Sequence, residues 1–143
     1  MIRAKVSEEE QEQPLEEYIS ALYSSAEGEK RSLQNFLKED DEGDTEYKLK
    51  LVLPSDDRLD HLATQMKYRI REGHGEAHYR IGVEDNGKPT GLNQEDMLES
   101  LKTICLLAGR VRADVMVLRV SEGLHGLVIE LVIRERHRQG VTM

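Results

Sequence analysis

The distribution of charge decides first which part of this chain can fold. Residues 1–46 carry 14 acidic and 5 basic side chains, whereas residues 47–143 carry 14 acidic and 15 basic ones, so the formal net charge of -8 comes from the N-terminal third. A segment orders itself only when it buries enough apolar surface to offset its conformational entropy. The acidic runs at 7–12 and 38–44 have little to bury. The pattern predicts a disordered acidic tail over 1–46, a single domain over 47–136 and a short C-terminal tail over 137–143. Loss of residues 1–45 is then expected to leave stability almost unchanged. Inside the tail, Leu15, Tyr18, Ile19 and Leu22 follow the i, i+3, i+4, i+7 spacing of a helix with one apolar face. This predicts a short amphipathic helix over 15–25, with Pro14 in its first turn. An isolated helix of this length is marginal in water, so it is either nascent or folds against a protein partner through those four side chains.

From Tyr47 onward the periodicities are regular. Tyr47, Leu49 and Leu51 alternate with Lys48 and Lys50, a half-buried strand over 47–53 that Pro54 stops. Ser55 or Asp56 can cap a helix that carries Leu59, Leu62, Ala63, Met66 and Ile70 on one face and ends at Gly73. Residues 76–83 return to period two, with Ala77, Tyr79, Ile81 and Val83 on one side and His78 and Arg80 on the other. Asp85-Asn86-Gly87 reads as a tight turn, with Gly87 at positive φ, leading into a short edge strand over 89–92. Asn93 caps a second helix, bearing Met97, Leu101, Ile104, Cys105 and Ala108, that stops near Gly109. Strands over 114–120 and 127–134 follow, joined near Glu122-Gly123. The expectation is an α+β, two-layer β-α-β-β-α-β-β domain with two helices packed on one mixed sheet.

Chemical motifs are sparse. The one cysteine, Cys105, lies on an apolar helical stripe and reads as a core residue, and it excludes an intrachain disulfide framework. A phosphate-binding loop needs a Gly-rich stretch closing on Lys and Ser or Thr before a helix. Gly73-His74-Gly75 has no such ending and leads into a strand. His74 and His78 have the spacing of a helical zinc pair but straddle that glycine turn, so they read as surface histidines. Glu84 and Asp85 read as turn-capping groups. No catalytic, metal-binding or cofactor-binding residue is assigned. One cationic strip is a candidate for phosphate or partner contact: Lys67 and Arg71 on the first helix, His78 and Arg80 on the next strand, interrupted by Glu72 and Glu76. No apolar run approaches membrane-spanning length, and a cytoplasmic location is expected.

Residues 46–51 and 61–67, then Arg71-Glu72-Gly73-His74-Gly75-Glu76-Ala77, then Ile81-Gly82-Val83-Glu84-Asp85-Asn86-Gly87 carry a resemblance. Together with Gly91-Leu92, Ser100-Leu101-Lys102-Thr103 and Ala113-Asp114 followed by Val117-Leu118-Arg119 they resemble the segment just ahead of the GTPase domain in the GTP-binding protein 1 and 2 family. That family is similar to elongation factors that deliver aminoacyl-tRNA. The resemblance implies a non-catalytic accessory domain of a translation-type GTPase acting in translation or mRNA turnover. GTP and magnesium would belong to the full-length parent, and the implied partners are its GTPase domain, tRNA or the ribosome. A weaker resemblance, through 46–50 and 81–92, is to the AlbA-like module of Schlafen-type proteins. It implies a nucleic-acid-binding module as the alternative.

Overall fold

The computed structural model describes residues 3–4, 8–25, 31–32 and 34–136. The elements are β1 (Arg3–Ala4), α1 (Glu8–Ser24), β2 (Arg31–Ser32), β3 (Thr45–Lys48), α2 (Asp56–Glu72), β4 (Glu76–Ile81), α3 (Gln94–Arg110), β5 (Ala113–Glu122) and β6 (Leu127–Glu135). The fold is α+β, as the periodicities require. The sheet order is β1-β5-β6-β4-β3, with the two-residue β2 also on β5. β3 runs parallel to β4, as a strand-helix-strand crossover demands, while β6 is antiparallel to both β4 and β5.

Local chemistry accounts for the helix ends. Ser55 accepts a hydrogen bond from the Arg58 amide at 3.2 Å, and Asn93 accepts one from the Asp96 amide at 2.8 Å. Each cap satisfies a donor the first helical turn leaves open. Acidic residues follow both caps, where the helix dipole favours them. The apolar stripes of α2 and α3 meet Ala77, Tyr79 and Ile81 of β4 and Leu127, Ile129, Leu131 and Ile133 of β6 in one core. The connection from β3 to α2 is pinned to α3. The Leu51 amide donates to Ser100 Oγ at 2.9 Å, and Thr103 Oγ1 donates to the Leu51 carbonyl at 2.8 Å.

The N-terminal third differs from the disordered tail that its composition suggests. α1 packs on α3 with Ile19 0% exposed and Leu15 buried in the main core. Tyr23 donates to the Leu92 carbonyl at 2.6 Å, and Glu16 lies 3.6 Å from Lys102. The four-residue stripe therefore docks within the chain, on a helix longer than expected that holds Pro14 in its interior. Residues 34–44 form a strap across the β3 edge, held by one apolar side chain, Phe36, and otherwise by polar contacts. The Phe36 and Glu39 amides donate to the Gly87 and Asp85 carbonyls at 2.8 Å each. The short tail over 137–143 lies outside the described residues.

Two local expectations shift. β3 starts two residues earlier than the alternation suggests and stops at Lys48, because Leu51 turns inward toward α3 and Leu53, at φ +46, turns out. The returning edge strand over 89–92 reduces to a single bridge between Leu92 and Leu127, since Pro89 has no amide to donate. The turn itself is as expected, with Gly87 at φ +94 and the Phe36 backbone where a Cβ would sit.

Candidate functional site

The period of two that sends Ala77, Tyr79 and Ile81 into the core sends His78 and Arg80 to the opposite face of the sheet. Lys67 and Arg71 stay on the exposed side of α2, over the helix-covered face. The sheet therefore separates the two halves of the expected strip. It instead brings His78 and Arg80 together with residues that sequence reading did not single out: Arg119, Glu130, Arg134, Asp114 and Arg136. Strand pairing places them. Arg80 and Arg119 lie on either side of Glu130, and Arg134 lies between Glu76 and Asp114. A bulge between Val117 and Arg119 aligns Arg119 with Glu130 and leaves Leu118 exposed.

Glu130 is the floor of this face. Its Oε1 is 3.5 Å from Arg80 Nε and its Oε2 is 3.7 Å from Arg119 Nη1, and Oε2 accepts no hydrogen bond. Arg80 also donates to Tyr47 Oη at 2.8 Å, and its guanidinium carbon lies 4.3 Å from the Phe36 ring centre and 5.2 Å from that of Tyr47. Those rings, with Val83 and Val128, make a second small apolar cluster beneath the strap. Arg134 Nε donates to Glu76 Oε1 at 2.7 Å, Arg136 Nε is 3.8 Å from Asp114 Oδ1, and His78 Nδ1 is 3.8 Å from Asp44 Oδ2. At Glu130 and Asp114, though not at Glu76 or Asp44, carboxylate and guanidinium are layered. The Glu130 side chain is 9% exposed and that of Arg119 is 55% exposed. Asp114 is likewise buried beside a half-exposed Arg136.

A different polar cluster sits at the β3 edge. Arg69, buried on α2, donates to Glu46 Oε1 at 2.8 Å and to the carbonyls of Gly43 and Asp40 at 2.9 and 2.8 Å. Glu39 Oε2 accepts from the Tyr47 amide at 2.5 Å and lies 3.9 Å from Arg69. Burial pushes the Glu39 carboxyl up to about 6; the Tyr47 amide opposes this, and Glu46 and Asp85 add to it. Burial works against the Arg69 charge, but Glu46 and Glu39 outweigh it and raise its pKa. Glu46 also pairs with Lys48 at 3.1 Å, so the charges here are neutralised among β3, α2 and the strap and the cluster is a fastening. An open depression of about 250 Å³ between Tyr23 and the β5–β6 turn offers one charged side chain, Glu122. Cys105 is buried, and burial pushes its thiol up to about 11. Among the described residues no three His, Cys, Asp or Glu side chains gather as a metal site would require. No described helix is long and apolar enough to cross a membrane.

GTP-binding protein 2 of Homo sapiens and of Mus musculus are each 57% identical to this chain over 84 residues, which is 59% of the chain. GTP-binding protein 1 of Xenopus laevis is 36% identical over 92 residues, or 64% of the chain. The chain is homologous to one region of GTP-binding proteins 1 and 2. It spans only 14% of the length of these relatives. No family profile matches the chain, and no solved structure matches it significantly.

Proposed function

We propose that this chain is a non-catalytic accessory domain of a translation-type GTPase, set ahead of the GTPase domain and working in the cytoplasm through contacts with that domain, tRNA or the ribosome. The observation that carries this reading is its likeness to a domain-sized 14% of the GTP-binding protein 2 relatives. The helix ends support it. A triphosphate site draws on open backbone amides at a helix N-terminus. Here Ser55 and Asn93 each take up one of those amides, and Asp56, Asp57, Glu95 and Asp96 put negative charge where a phosphate would approach. GTP and magnesium would be held by the rest of a full-length parent.

The test uses the purified chain and, separately, the GTPase region of human GTP-binding protein 2. A fluorescent GTP analogue should show no saturable micromolar binding to the chain alone. Calorimetry should show the chain binding the GTPase region, or changing its hydrolysis rate. Displaceable nucleotide binding by the chain alone would overturn the non-catalytic assignment; absence of any effect on the GTPase region would overturn the contact with that domain. The arginine layer on the open sheet favours RNA among the contacts such a domain would make.

A further inference from the structure

We propose that the sheet face turned away from α2 and α3, where the Arg119 and Arg134 side chains are 55% exposed, is an RNA-backbone platform, with Arg80 and Arg119 as its central phosphate contacts, Arg134 as a third, and buried Glu130 as the group that positions the first two. The inference deepens the accessory-domain reading and rests on it for the presence of RNA where the protein acts.

The argument begins with layering. A carboxylate normally cancels its arginine toward solvent, but Glu130 is sunk below the guanidiniums it pairs with. One buried negative charge thus holds two positive ones, and an approaching ligand meets the positive layer first. The pairing is also incomplete as hydrogen bonding. Among the described residues Arg119 has only the 3.7 Å contact to Glu130, beyond hydrogen-bond reach, and Glu130 Oε2 is buried with no donor. Arg119 therefore keeps its planar fork of donors for a ligand. Phosphate oxygens match that fork in a bidentate way, as the point charge of a lysine does not.

Spacing supports a strand-like ligand. Neighbouring strands lie about 4.8 Å apart and same-face residues along one strand about 7 Å apart, so the arginines form a track across β4, β6 and β5. At one end the Arg80 guanidinium lies over the ring of the partly exposed Phe36, an aromatic neighbour of the kind single-stranded nucleic-acid sites use. The acidic strap borders that end, so the track runs from Arg80 toward β5 and away from the negative charge. An acidic protein segment is the competing occupant. The guanidinium forks and the aromatic end favour a nucleic acid over it.

The experiment measures binding of the full chain to a fluorescein-labelled, unstructured 20-nucleotide RNA across a salt series. Arg119→Gln with Arg134→Gln should weaken binding about tenfold at low salt and flatten the salt slope by about 1.4, near 0.7 per lost contact. Arg119→Lys with Arg134→Lys keeps the charge, so it should hold the slope while losing part of the affinity, a separation that mere misfolding cannot produce. Lys67→Gln with Arg71→Gln should leave both unchanged. The proposal fails if the chain does not bind this RNA saturably, if the helix pair flattens the slope instead, or if polyglutamate of similar length binds as tightly. A failure with binding to the GTPase region intact would remove this platform and leave the accessory role standing.

Discussion

Two pieces of the acidic N-terminal third dock at different places, one on the helical layer and one at the β3 edge, by opposite means. α1 lies on the helical layer through Leu15, Tyr18, Ile19 and Leu22, with Ile19 sealed from solvent. The strap over 34–44 crosses the β3 edge with Phe36 as its one inserted apolar side chain. It is otherwise held by its own carbonyls and by Arg69, Glu39, Tyr47 and Gly87. Apolar docking writes a periodic stripe into sequence, and polar docking writes nothing. Composition sees both pieces as acidic and unstructured, because the strap's partners sit on distant elements and its bonds come from the backbone.

The sharpest way to break the comparison is at Arg69. Arg69→Ala takes from buried Glu46 its guanidinium partner, leaving it the Lys48 ammonium at 3.1 Å, and removes the Arg69 donors from the carbonyls of Asp40 and Gly43. The expected loss is about 4 kcal/mol by chemical denaturation, with amide-exchange protection vanishing first at Phe36 and Glu39. An unchanged midpoint would show that the strap is not fastened there. Ile19→Ala acts on the other piece and should cost about 3 kcal/mol, as a buried aliphatic truncation does, while strap protection persists. Loss of protection at both places in that variant would show that the two docks are coupled, against the expectation for sites without shared partners.

The smallest effect is a pH dependence with a definite sign. The Glu39 carboxyl is raised to about 6 from an ordinary 4.5. The folded state therefore binds the proton more tightly than the unfolded one, and this group's contribution falls as pH rises from about 4.5 through about 6. Stability should be lower at pH 7 than at pH 5 by less than about 1 kcal/mol from this group, since it is partly solvated. Glu39→Gln should abolish the difference in matched melting curves, and a wild-type slope retained by that variant would assign the titration to another group.

Much of the fold is legible locally. The caps at Ser55 and Asn93, the turn at Gly87, the stripes of α2 and α3 and the closing strand pair all follow from spacing and turn chemistry. The edge strand over 89–92 was not, because one bridge beside Pro89 leaves the same alternation as a strand. The site was half legible. His78 and Arg80 read as one face, and the apolar partners Ala77, Tyr79 and Ile81 already imply that this face is turned from α2. Arg119 and Glu130 are joined by register across a bulge, which no local pattern records.

β6 has a consequence for synthesis. It is the central strand, buried on both faces from Leu127 to Ile133, and the last element in the described chain. β3 with β4 on one side and β5 on the other share no ladder except through it. As the chain emerges from N to C, the two halves of the sheet stay unzipped, with the edges of β4 and β5 open, until residues 127–135 arrive. Those exposed ladders are the stage at which another chain can pair with the nascent one.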